Sequence, residues 1–208
     1  MSAQRDAAFT PQFMGDLSHL DPHGHGRRSL TWWGMMGLIA IEGAVFVLAG
    51  VAYLYLATHN PSWPPHGVAP SLVWGTAFTI AILLSYLPNM WVKRVSEREQ
   101  IGPVRIGLVV MSVLGAALLV VRYLEFTALH VAWSDSAYGS ITIALLGLHT
   151  AHLATDFVDT VVLTALMFTR HGRGRRFVDC EENAVYWNFV VLGWLPIYAL
   201  VYWGPRWL

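Results

Sequence analysis

The sequence predicts an all-α integral membrane protein: a bundle of five transmembrane helices with its N-terminus in the cytoplasm and its C-terminus outside. Three observations point there. The chain of 208 residues is 55% hydrophobic and 12% charged, about half the charged fraction of a soluble domain, and its mean hydropathy is +0.48. Five apolar stretches, at about 33–56, 70–91, 104–130, 138–169 and 184–204, are long enough to cross a hydrocarbon core of ~30 Å. Each is a continuous apolar run without the period-two alternation of a barrel strand.

Basic residues set the orientation. Arg5, Arg27 and Arg28 precede the first span. Lys93, Arg94, Arg98 and Arg105 surround the second connection, and Arg170, Arg173, Arg175 and Arg176 the fourth. Only Arg122 and Arg206 of the 13 Lys and Arg fall on the other side. Residues 1–30 are polar and lack the short apolar core of a cleavable signal peptide. They read as a flexible cytoplasmic tail ahead of a single transmembrane domain at 31–208. A net charge of zero removes any bulk electrostatic case for nucleic acid. One cysteine, Cys180, excludes an intrachain disulfide and a cysteine-pair metal centre, and there is no CxxCH for covalent haem.

In the first span, from Trp33 to Leu56, the only charged side chain is Glu42. It lies ~14 Å along the helix from Trp33, near the middle of the core. A charge there costs about 2.5–3.5 kcal/mol on insertion scales, so it faces a partner or a cavity. Two readings stand: a buried carboxyl that holds helices in register, and a carboxylate of a proton relay or substrate site. The glycines Gly34, Gly37, Gly43 and Gly50 fit helix packing. The second span closes near Pro88. In the third, Arg122 and Glu125 stand three apart near the outer interface, where they can pair and snorkel.

The fourth span places His149, His152, Asp156 and Asp159 at offsets of three, seven and ten from the first, one stripe of a helix. Such a stripe is expected to turn inward. Counted from Ser140, His149 lies ~13 Å deep, level with Glu42. A hydrogen-bonded polar seam fits better than a metal site, which would need ligands from further helices. In the fifth span Trp187 and Trp194 read as packing. Trp32, Trp33, Trp63, Trp74, Trp91, Trp133, Trp203 and Trp207 read as interfacial belts. The arginines of the fourth connection, with Trp33, suit an anionic headgroup, although topology control alone would also explain them.

Four short pieces, in order, resemble the subunit III family of haem-copper terminal oxidases (cytochrome c oxidase) in a divergent five-helix form. They are Trp33-Gly34-Met35 followed by Glu42; Glu125-Phe126 after Arg122; Gly147-Leu148-His149-Thr150-Ala151-His152; and Glu181 with Tyr186-Trp187-Asn188-Phe189-Val190 and a final Tyr202-Trp203-Gly204. Arg122 stands where the family has Gln, Asn188 where it has His and Val191 where it has Asp. Asp156 and Asp159 fall on a helix expected to be apolar.

The resemblance implies an accessory, non-redox subunit of a respiratory oxidase in the bacterial cytoplasmic membrane. Such a subunit packs against catalytic subunit I and its neighbours, binds phospholipid and supports proton uptake. Haem and copper are then expected in the partner and none in this chain, with no catalytic or metal-ligating residue. Glu42, His149, His152, Asp156 and Glu125 would be the buried polar, proton-related groups, and Trp33, Arg170 and Arg175 would meet lipid headgroups. Two other classes compete: a small proton- or metal-coupled transporter using Glu42 and the fourth-span stripe, and a membrane enzyme holding a metal on that stripe. No inverted repeat or matched pair of broken helices supports a transporter.

Overall fold

The computed structural model describes residues 30–65, 69–169 and 175–207, with Leu30 and Arg175 by backbone alone. The chain runs α1 (Leu30–His59), α2 (Leu72–Glu97), α3 (Ile101–Ala128), α4 (Ala137–Met167) and α5 (Arg175–Tyr198). A π-helical turn (Ala199–Trp203) and a last turn, α6 (Gly204–Trp207), follow. Five helical segments are long and apolar enough to cross a membrane, and no strand occurs among the described residues. Serines start two of them. The Ser71 hydroxyl accepts from the Val73 N–H at 3.4 Å and Ser136 from Gly139 at 3.1 Å, satisfying amides that a helix start leaves open.

Packing follows a seven-residue rhythm that hydropathy hides. Buried positions in α2 run through Gly75, Phe78, Ile82, Ser85, Asn89, Val92 and Ser96, with Val95 beside them; in α3, through Val104, Leu108, Met111, Gly115, Leu118, Arg122 and Glu125, with Gly107 beside them. In α4 the run is Thr142, Leu146, His149, Leu153, Asp156, Thr160, Leu163 and Met167, with Tyr138, Gly139 and Leu145 also buried. Alternating spacings of three and four form the seam of a left-handed helix pair. Outside the seam the residues are as apolar as the lipid they face, so the seam is marked by small and polar side chains rather than by hydrophobicity.

Along the α2–α5 seam, Trp194 donates to Thr79 (2.8 Å), Trp187 to Ser85 (2.9 Å) and Asn89 to Asn188 (2.9 Å), while the Thr76 and Tyr198 hydroxyls lie 2.8 Å apart. Trp187 and Trp194 are therefore packed as expected and also hydrogen-bonded. Helix α1 stands apart: it packs mainly against α4 and α5, and 6% of its most apolar stretch is buried.

Three expectations are corrected. Helix α5 begins at Arg175, nine residues before the apolar run at 184, because Phe177, Cys180 and Ala184 give its charged first turns one buried face. Of the α1 glycines, Gly34 and Gly37 have nothing within 4 Å of an added methyl, while Gly43 and Gly50 meet Phe189 and Leu200. The close approaches lie elsewhere, at Gly75 against the Tyr202 ring, Gly107 against Val92, Gly115 against Phe157 and Gly139 against the Ala132 carbonyl. Trp63 is no belt residue. It packs edge-on between Tyr53 (5.2 Å) and Tyr138 (5.0 Å).

Candidate functional site

The polar residues singled out in the sequence divide into two groups on either side of Phe46. The first is centred on Arg122 and Glu125. They pair, as their spacing predicts, at 2.5 Å, but both side chains are 1% exposed. They point into the bundle instead of snorkelling outward, because both occupy seam positions of α3. The guanidinium carbon sits 3.7 Å from the Phe78 ring centre and 4.1 Å from that of Trp194, so two aromatic faces take the place of water around the cation. The Tyr202 hydroxyl donates to the other Glu125 oxygen. Thus both carboxylate oxygens are satisfied, one from α3 itself and one from the π-helical turn.

His149 belongs to this group. Arg122 Nη2 lies 3.1 Å from His149 Nδ1, and His149 Nε2 lies 3.0 Å from the Val190 carbonyl. A guanidinium only donates and a carbonyl only accepts, so the geometry fixes the Nε2–H tautomer. His149 therefore faces Arg122, and of the two histidines it is His152 that faces Glu42. The three-residue step along α4 rises ~4.5 Å and stops about 60° short of a full turn, which changes the neighbours, and the Phe46 ring lies 6.4 Å from His149 and 4.8 Å from His152.

The second group surrounds Glu42. Tyr186 of α5 donates to Glu42 Oε2 at 2.7 Å, and His152 Nε2 lies 3.6 Å from Oε1. Glu42 is thus held by α4 and α5 and is partly exposed, at the edge of a cleft of about 660 Å³ between α1, α4 and α5. In the same cleft Asn183 Nδ2 bridges Asp156 Oδ1 (3.1 Å) and Asp159 Oδ2 (3.2 Å), and Asn183 Oδ1 accepts from Thr160 at 3.2 Å. The stripe therefore does not turn inward as a whole. His149 and Asp156 occupy the seam, His152 is half-buried and Asp159 is exposed.

Tyr186, Asn183, Tyr202, Phe78 and Trp194 complete these groups and were not anticipated as site residues. The signal for them was the seam period itself, which puts Trp187 and Trp194 of α5 on one register with Arg122's neighbours. Among the described residues, no three or more His, Cys, Asp or Glu gather in a way that could hold a metal ion. Trp33 is 54% exposed at the start of α1, edge-on to Trp32 at 4.9 Å. Arg170 and the side chain of Arg175 lie outside the described residues, as does the tail at 1–29.

Residues 27–206 match the family described as cytochrome c oxidase subunit III. The cytochrome c oxidase subunit 3 of Synechocystis sp. is 23% identical over 208 residues, which cover 97% of this chain and 84% of that protein. The corresponding protein of Lumbricus terrestris is 25% identical over 180 residues (82% and 69%), and that of Mus musculus 26% over 182 residues (82% and 68%). Against the protein of Pylaiella littoralis, at 26% identity, the chain spans 53% of the relative's length. With a match over nearly the whole described bundle, this multi-pass membrane chain belongs to the cytochrome c oxidase subunit III family.

Proposed function

We propose that the chain is the accessory, non-redox subunit of a haem-copper oxidase in a bacterial cytoplasmic membrane, where it braces the catalytic subunit and supports proton uptake. The observation that carries this reading is the family match over residues 27–206. The relatives named cytochrome c oxidase subunit 3 support it along the same span.

The roles of individual residues follow from their chemistry. Glu42, gripped by Tyr186 and set against His152, is a carboxylate with a proton donor or acceptor on each side, at the edge of a cleft where water can reach it. That is what a group passing protons toward a neighbouring subunit requires. Asp156 extends the polar lining of the same cleft. The Arg122–Glu125–Tyr202–His149 group ties α3, α4 and the end of α5 together. Trp33, Arg170 and Arg175 meet phospholipid headgroups at the cytoplasmic interface. Haem and copper belong to the partner, catalytic subunit I, and bound phospholipid completes the unit.

The test is gentle extraction through a tag on this chain, followed by an absorption spectrum and a subunit count. Haem co-purifying with a large polytopic partner is expected. A colourless chain without a partner overturns the proposal and returns attention to transport through Glu42.

A further inference from the structure

The α4 acids of the α1–α4–α5 cleft, buried Asp156 and exposed Asp159, have no place in the roles above beyond lining it. Asp156 is 3% exposed, and its Oδ2 has no hydrogen-bond partner. Asp159 stands beside it, joined through the Asn183 amide. The described cleft lining holds Glu42, Asp156, Asp159, Asp179 and Glu182 against a single cation, Arg176, and Arg176 is engaged by Asp179 at 2.8 Å. Carboxylates within a membrane normally find a cation or a hydrogen-bond donor.

We infer that this cleft receives a Lys or Arg side chain from a transmembrane helix of a neighbouring subunit, which pairs with Asp159 over Asp156. Depth selects this occupant. Asp156 lies ~16 Å and Asp159 ~12 Å from the C-terminal end of α4, and both at least ~28 Å from its N-terminal end, inside the hydrocarbon core. The ammonium of a lipid headgroup stays at the interface. A bare metal ion needs several hard ligands at once, and no group of three or more such residues gathers among the described ones. A basic side chain on a crossing helix reaches this depth and brings its own donors. The surrounding wall suits a helix: Met35, Leu38, Val162 and Leu166 are apolar, and among the described residues only 6% of the most apolar stretch of α1 is buried.

The inference rests on the chain working inside a multi-subunit membrane complex, whatever chemistry that complex performs. The test places a photo-crosslinking amino acid at Val162, one turn from Asp159, in the tagged chain, and irradiates the complex in its native membrane. Peptide mass spectrometry is expected to find an adduct on a transmembrane segment with a Lys or Arg within one turn of the linked residue. In the Asp156→Asn/Asp159→Asn variant the adduct should fall on the order of tenfold, while a crosslinker at Val113 on α3 keeps its yield and reports that the bundle is intact.

Adducts on lipid alone, on a segment without a basic residue, or in unchanged yield in the double variant overturn the inference. Failure to recover any adduct from an assembled complex overturns it too. Haem in the purified complex together with lipid-only adducts would sink this inference and leave the oxidase reading standing. A basic transmembrane segment captured in a haem-free complex would do the reverse.

Discussion

Arg122 shows most directly how a residue's surroundings decide its meaning. Its charge is buried between Phe78 and Trp194 and neutralised by Glu125, so removing one partner strands the other. Arg122→Leu is expected to cost about 3–5 kcal/mol, and Arg122→Leu/Glu125→Leu to restore much of that loss. Thermal unfolding of the purified complex reads both, and a double variant no better than the single would refute the coupling. The pairing itself was legible from a spacing of three. Its depth was not, because the aromatic faces that accept the cation come from α2 and α5, far away in sequence. Glu42 offers a second test at this scale. Glu42→Gln keeps an acceptor for the Tyr186 hydroxyl but cannot release a proton, so the complex is expected to begin at normal rates and lose activity over many turnovers. Wild-type durability of that variant would remove Glu42 from proton uptake.

At the scale of helices, the buried runs in α2, α3 and α4 show why the number of spans was readable from composition and their faces were not. In a soluble bundle the apolar residues mark the seam. Here they also mark the lipid side, and the seam is marked by Gly75, Ser85, Asn89, Gly115 and Thr160 instead. The early start of α5 has the same origin: a hydropathy window discounts Arg176 to Asn183, yet Phe177 and Cys180 bury one side of that segment. Gly75 carries an element-scale prediction. A methyl group there would press on the Tyr202 ring, which is tied to Glu125. Gly75→Ala is therefore expected to lose about 1–3 kcal/mol, whereas Gly34→Ala, with nothing within 4 Å, should change stability by less than about 0.5 kcal/mol. Equal effects at the two glycines would show that α2 does not depend on this approach to the end of α5.

For the whole molecule, the distribution of Lys and Arg makes a claim that the helices alone leave open. Connections on one side of the bundle hold nearly all the basic residues, and the short connections of a multi-pass protein keep such residues in the cytoplasm. Two exposed positions separate the alternatives: Arg98 in the turn between α2 and α3, and Ser134 in the connection between α3 and α4. In a Cys180→Ala background, which removes the one native thiol, a membrane-impermeant maleimide applied to intact cells should label Ser134→Cys and spare Arg98→Cys until the membrane is opened. The reverse pattern would invert the bundle. Inversion would place the Asp179 and Glu182 end of the cleft lining on the outer side, away from a cytoplasmic supply of protons. Proton uptake through Glu42 would then be untenable, whereas the fit of a neighbouring basic helix against Asp159 would be unaffected. The labelling experiment therefore bears on the direction of proton supply, and it does so without measuring turnover.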